Sequence, residues 1–258
     1  MMQPSGREPL PVSKAVPVAG WLAVISAILL GGGPVSYRLG LTRADTAIDI
    51  FHAGGIAAAA ALTAALVALF LILIRPGRSS GALNAAATAL FGAAAVTAVL
   101  YWSIVPAWQT PAIHDVVTSP RDPPEFVALR TIHYERHSYS RYQARDPRSG
   151  MSISAAYPEI GTLVFDRSLR QVFKAAQDTA RALGWSIAAT ARTEGRLEAV
   201  DRATIFGFHD DIVIRVRLNT AGYTVLDIRS ASREGTRDLG RNACRIEAFV
   251  AHLKSHLP

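Results

Sequence analysis

Residues 205–245 read IFGFHDDIVIRVRLNTAGYTVLDIRSASREGTRDLGRNACR, and this stretch decides the fold of the C-terminal half. Over residues 211–218 the side chains alternate. Ile212, Ile214, Val216 and Leu218 share one face, and Asp211, Val213, Arg215 and Arg217 share the other. Over residues 224–230 the alternation returns, with Thr224, Leu226 and Ile228 apolar-side and Val225, Asp227 and Arg229 outward. A period of two marks a sheet with one buried face. Between the two runs, Thr220-Ala221-Gly222 has the form of a three-residue hairpin loop with Gly in the left-handed position. That loop sets Asn219 opposite Tyr223, and therefore Val216 opposite Leu226 and Arg215 opposite Asp227. A one-residue slip would mix the apolar and charged faces, so the pattern specifies its own register.

The neighbouring sequence supplies the rest of a domain over residues 156–258. Residues 162–165 form a short strand. Ser168 followed by Gln171 is a capping box, and Leu169, Val172, Phe173, Ala176, Ala180 and Leu183 follow at helical spacing until Gly184 stops the helix. Residues 185–191 and 196–200 make a hairpin around Thr193-Glu194-Gly195. A final helix starts at Asp238 as its cap. Leu239, Ala243, Ile246, Val250, Leu253 and Leu257 form its buried stripe, with Arg241, Arg245 and His252 facing away. Four or five antiparallel strands with two helices on one face define a two-layer α+β sandwich.

Upstream, the composition changes. Half of the 258 residues are apolar, and the excess lies before Pro106. Beyond a polar tail of residues 1–14, the runs 15–37, 50–74 and 83–105 carry no Asp, Glu, Lys or Arg and read as three transmembrane helices, the last closed by the aromatics Tyr101, Trp102 and Trp108. A run of 23 residues spans about 34 Å as helix, enough for the hydrocarbon core. Arg7, Lys14, Arg75 and Arg78 fall on one side of such a bundle, against Arg38 and Arg43 on the other. The positive-inside rule then places the chain in the inner membrane with the C-terminal domain outside the cytoplasm. Residues 106–155 read as a Pro-rich linker and an irregular, His- and Arg-rich excursion. After residue 105 there are 21 Lys and Arg against 17 Asp and Glu, interspersed, with no basic stripe of the kind that binds nucleic acid. The single Cys244 allows neither an internal disulfide nor a cysteine metal cluster.

Several pieces, in order, carry a resemblance: Pro111-Ala112-Ile113-His114-Asp115, Asp122-Pro123-Pro124, Ala156-Tyr157-Pro158 and Leu183-Gly184-Trp185, then Phe206-Gly207-Phe208 with Asp210-Asp211, and Ile214-Arg215-Val216-Arg217. Asp227-Ile228-Arg229-Ser230 and Ser232-Arg233, leading into Asp238-Leu239-Gly240-Arg241-Asn242-Ala243, complete them. Over residues 111–253 the chain resembles the family called domain of unknown function 1499. The resemblance implies a domain carried behind membrane spans or a lipid anchor, on the extracytoplasmic side. It implies no activity, cofactor or substrate. Residues 130–152 depart from it in being more basic and His-rich.

The chemistry-bearing residues divide into a few sets. Asp210 and Asp211 beside His209, or His114-Asp115, could serve an envelope hydrolase. Adjacent strand residues point to opposite faces, however, so the two aspartates do not converge on one ion without a bulge. His133 and His137 flank Glu135, but the zinc-protease order needs Glu directly after the first His. Ser230, Ser232 and His252 lack a nucleophile elbow. The remaining set is the outer sheet face: Asp211, Arg215, Arg217, Asp227 and Arg229, joined by Arg233, Arg241 and Asn242. This set reads either as a solvated salt-bridged sheet or as a surface that recognises an anionic headgroup, a membrane or envelope protein partner, or the bilayer itself. The expectation is therefore an anchored binding or scaffolding module, without metal or cofactor, rather than an enzyme.

Overall fold

A computed structural model describes residues 12–74, 82–99, 113, 115–130, 152–234, 238 and 240–257. The chain divides into two units, Met1–Val105 and Pro106–Pro258.

The first unit consists of α1 (Val12–Arg38), α2 (Ala44–Leu73) and α3 (Ala82–Val99). Small residues fill its inside: Ala19, Ala47, Ala58, Ala61, Ala65 and Ala68 are buried, and the Ser26 hydroxyl donates to the Gly54 carbonyl at 2.8 Å. Gly33 lies against Ala47 and Phe51, and Gly54 against Leu30, so tightly that a Cβ would come within 2.5 Å and 2.8 Å of backbone atoms. Large apolar side chains point outward, among them Trp21, Ile28, Ile56, Phe70 and Leu90. Small residues inside and large ones outside is the inverse of a water-soluble bundle, and it is how helices pack where the solvent is lipid. Two helices, residues 15–38 of α1 and all of α2, are long and apolar enough to cross a membrane. The expectation of three spans is corrected to two. The described α3 has 18 residues, about 27 Å, short of the roughly 20 residues a span needs. Residues 100–105 of the expected third span, with Tyr101, Trp102 and Trp108, lie outside the described residues. Residues 12–14, read as tail, belong to α1.

The second unit is a two-layer α+β sandwich. Its elements are β1 (Asp115–Val117), α4 (Ile153–Ala156), β2 (Leu163–Phe165), α5 (Leu169–Ala182), β3 (Ser186–Ala191), β4 (Arg196–Arg202), β5 (His209–Leu218), β6 (Thr224–Ser232) and α6 (Arg241–His256). The antiparallel sheet runs β1-β6-β5-β4-β3, with β2 also on β6, giving six strands where four or five were expected. The central hairpin has the register its turn dictates: Val216 pairs with Leu226 and Arg215 with Asp227. Asn219 holds the turn by accepting from the Ala221 and Tyr223 amides, and Gly222 takes φ +85°. At the β3–β4 turn, Gly195 has φ +64° and an added Cβ would meet the Val216 carbonyl at 2.0 Å. Both helices lie on one face, where Val172, Phe173, Ala176, Ile246, Phe249 and Leu253 meet Ile212, Ile214, Val216, Leu226 and Ile228. The Ser168–Gln171 capping box opens α5 as read.

Residues 115–130 require a larger correction. Read as linker and the start of an irregular excursion, they instead supply β1 and then a strap across the second sheet face. Phe126 and Leu129 pack there on Val213, Ala231 and Val200. All nine residues of β6 are consequently buried, with β5 on one edge, β1 and β2 sharing the other, and both faces covered.

Candidate functional site

The strap turns the expected outer surface into an interior polar layer. Cross-strand pairing arranges that face in rows: Arg196, Arg215 and Asp227; then Glu198, Val213 and Arg229; then Val200, Asp211 and Ala231. Glu198 is fully buried and accepts from three successive backbone amides of the strap, Val127, Ala128 and Leu129, at 3.0, 3.0 and 2.9 Å, and from the Arg196 guanidinium. Arg229 holds Asp115 through two bonds of 2.9 and 2.7 Å, donates to the Pro124 carbonyl, and lies over the Phe126 ring at 5.1 Å. Asp227, also fully buried, accepts from Arg215 at 3.0 Å and from the hydroxyls of Thr162 at 2.6 Å and Thr118 at 3.4 Å. Arg215 and Arg217 both reach Asp122 on the strap, at 2.9 and 3.1 Å. The Arg215 hydrogen bond holds the Asp122 carboxyl below the usual carboxylate range. Burial disfavours charge on Arg215, but bonds to Asp122 and Asp227 outweigh that and raise its pKa. Asp211 is gripped by Arg233 at 2.6–2.9 Å.

A second polar layer lies on the helix side, at the start of α6. Arg245 bridges Asp201 at 2.8 Å and Asp210 at 2.5 Å, and donates to Asn242 Oδ1 and Ser230 Oγ. Arg241 stands 3.6 Å from Asp210. Asn242 accepts from Ser230 at 2.7 Å and donates to Ser232 at 2.9 Å. Asp238 accepts from the Gly240 and Asn242 amides; burial raises its pKa against those bonds. The helix itself begins at Arg241 after Gly240, so Asp238 caps it from two residues before the N-cap.

Of the eight expected surface residues, Asp211, Arg215, Arg217, Asp227, Arg229 and Arg233 belong to the strapped face, while Arg241 and Asn242 belong to the helix side. A solvated outer face is therefore corrected: Asp211, Asp227 and Asn242 are wholly buried, and Arg229 is 9% exposed. Arg245, expected to face away, is 8% exposed. Sequence reading gave no role to Glu198 or Asp122, and it set Asp115 beside His114 and Asp201 beside Asp210 and Asp211, where the structure pairs them with Arg229 and Arg245.

The arrangement limits the chemistry of these groups. A carboxylate acting as base needs a lone pair open to substrate, and Asp210 and Asp211 are committed to Arg245 and Arg233 on opposite faces. His209 stands 3.7 Å from Glu234. Ser230 gives its proton to an amide oxygen, and His252 is ten residues beyond Asn242, about 15 Å of helix rise away. His114, His133, Glu135 and His137 lie outside the described residues. Among the described residues, no three His, Cys, Asp or Glu side chains converge as a metal site.

Fold and polar layers together define a class: an α+β domain held by paired charges, in a chain that begins with helices able to cross a membrane. The chain belongs to the family described as protein of unknown function (DUF1499), whose model matches residues 115–253. The match begins at β1, so the strap lies within the family domain. No curated protein matches the chain.

Proposed function

We propose that the protein is a membrane-anchored, non-catalytic binding or scaffolding module, presenting its α+β domain on the extracytoplasmic side. The observation that carries the non-catalytic reading is the commitment of the chemistry-bearing carboxylates. Asp115, Asp122, Asp201, Asp210, Asp211 and Asp227 each hold an Arg, and Glu198 holds an Arg and three amides. Paired groups of this kind give a face its shape, and the pairing of Asp210 with Arg245 and Asp211 with Arg233 speaks against the alternative, an envelope hydrolase using Asp210 or Asp211 with His209 or His114. Anchoring is supported by the inside-out packing of α1 and α2. The proposed side takes α3 as a third, short crossing beyond the two candidate spans: Gly55 lies against Val99 and Gly92 against Leu62, so α3 runs antiparallel to α2. The loop charges then favour a cytoplasmic entry.

Two measurements test this. A C-terminal alkaline phosphatase fusion is expected to be active and a fluorescent-protein fusion dark; the reverse pair overturns the side. The purified full chain is expected to turn over no ester, phosphoester or peptide in a substrate panel. Turnover lost on Asp210→Asn or Asp211→Asn would establish the hydrolase instead.

A further inference from the structure

Away from both polar layers, α5 and α6 enclose a groove of about 470 Å³. Its walls carry Arg167, Lys174 and Asp178 on the α5 side and His252 and His256 on the α6 side. Four residues apart in one helix, the two histidines lie one turn apart on the same face, where side chains meet. Their ring centroids are 4.7 Å apart and their planes are tilted by 42°. His256 Nδ1 stands 2.8 Å from the His252 carbonyl. A carbonyl oxygen only accepts, so Nδ1 carries the proton and, in the neutral ring, Nε2 keeps its lone pair. Ser255 donates to the same carbonyl at 2.7 Å and its hydroxyl lies 3.1 Å from Nδ1. His252 is half-buried and His256 is exposed, so both rings can be reached from water.

We infer that His252 and His256 form a binding site for a divalent transition-metal ion of the class that prefers imidazole: Zn²⁺, Cu²⁺ or Ni²⁺. The site goes beyond the binding-module reading above and does not depend on anchoring or on the side of a membrane. Metal–nitrogen bonds of about 2.1 Å and an angle of about 90–110° at the ion put the centroids of two bound imidazoles about 4.5–5.2 Å apart. The 4.7 Å separation lies inside that interval. Metal-binding imidazoles have their other ring N–H held by a carbonyl or carboxylate, which fixes the tautomer and aims the ring; the His252 carbonyl does this for His256. The position adds a field of its own. The pair occupies the last turn of α6, and the unpaired carbonyls of a helix C-terminus carry partial negative charge that favours a cation. Asp178 is bound to Lys174 at 2.5 Å and stands 3.9 Å from Arg181, so it neutralises the opposite wall rather than serving as a third ligand. Two protein nitrogens leave the remaining positions of the ion to water. That is fewer ligands than a structural metal site uses, so the ion exchanges with solution instead of staying resident.

The test uses the full chain in detergent, purified without a polyhistidine tag and stripped of metal. The reference chain carries His133→Gln and His137→Gln, because those two are also four apart in the sequence. Zn²⁺ is titrated in competition with a chromophoric chelator, and Cu²⁺ is added for electron paramagnetic resonance. Zn²⁺ is expected to bind the reference at a single site. Adding His252→Gln or His256→Gln is expected to weaken that binding about tenfold or more, since losing merely a group that orients a ligand costs that much. The Cu²⁺ spectrum is expected to show coupling to two imidazole nitrogens in the reference and to one in either variant. Equal Zn²⁺ affinity with and without His252 and His256 marks an adventitious ion only and overturns the site. Binding present in the native chain but lost from the reference overturns it as well, and assigns the metal to His133 and His137. Circular dichroism of the metal-free chains shows whether the variants fold. Should either fail to, a reference spectrum lacking two coupled nitrogens still overturns the pairing.

Discussion

Replacing Glu198 by Gln tests the strap most directly. The carboxylate is fully buried and gathers three strap amides at 2.9–3.0 Å together with Arg196. Gln keeps the shape but loses the charge, and its NH₂ group must face either an amide N–H or the guanidinium. Hydrogen bonds to a charged group contribute about 1.5–3 kcal/mol each, and breaking a buried charge pair costs about 3–5 kcal/mol. An escape route bounds the loss. The strap can lift, returning the Val127 and Ala128 amides to water, but doing so uncovers Phe126 and Leu129 at roughly 1.5–3 kcal/mol apiece. Both routes lead to about 3–5 kcal/mol, or roughly 10 °C in melting temperature for a domain of this size. Urea unfolding of the 106–258 fragment, with hydrogen exchange read at residues 127–129, measures both quantities. A loss below about 1 kcal/mol with amide protection intact would refute the argument that Glu198 fastens the strap.

The two turn glycines should behave differently. Gly222→Ala meets no atom within 4 Å and is expected to cost only the left-handed backbone penalty of about 1–2 kcal/mol. Gly195→Ala drives a Cβ into the Val216 carbonyl and should cost clearly more in chemical unfolding; equal losses would contradict the turn geometry. A fragment of residues 106–258 is expected to unfold cooperatively, while one starting at residue 156 lacks β1 and the strap and should aggregate; equal behaviour would show that the strap is dispensable. Burial, chiefly, and the carboxylates of Asp238 and Glu247 with Cys244 hold the Tyr157 phenol protonated well above its usual range, and its hydroxyl finds no partner among the described residues. Tyr157→Phe should therefore leave melting temperature unchanged or raised, and a fall of several degrees would reveal a hydrogen bond. Asp122 titrates below its ordinary 3.8, so its contribution is present above that pH and lost as pH falls through the lower folded value. Asp122→Asn should flatten the acid limb of the stability curve below about pH 4; an unaltered limb would show that Asp122 contributes nothing to it.

The part of the fold legible in the sequence is the part whose information is local. Alternation over residues 211–218 and 224–230 and one glycine three residues into the turn specify a register that the paired strands obey. The strap has no such signal. Its strand is three residues long, its three prolines suggest a linker, and its anchors come from far along the chain: Glu198 reaches Val127 across 71 positions and Arg229 reaches Asp115 across 114. Nothing periodic in residues 115–130 announces those partners.

Arg245 was hidden for a different reason. A helical stripe begun from Leu239 and carried through Val250 points the face slightly away from its real centre. Taking Asn242, Ile246, Phe249 and Leu253 as the centre rotates the helix, and Arg245 then turns inward between Asp201 and Asp210. The same ambiguity governed the outer sheet face. An alternation of Arg and Asp is written identically whether water or a covering segment lies above it, because both environments accept opposite charges in neighbouring rows. Asp211, Asp227 and Glu198 are each placed beside an Arg on the same or the adjoining strand or just beyond it, and a fully buried carboxylate requires that pairing. The requirement runs one way only. Buried acids demand partners, but partnered acids need not be buried, so the charge pattern could specify who pairs with whom while leaving open what covers the pair.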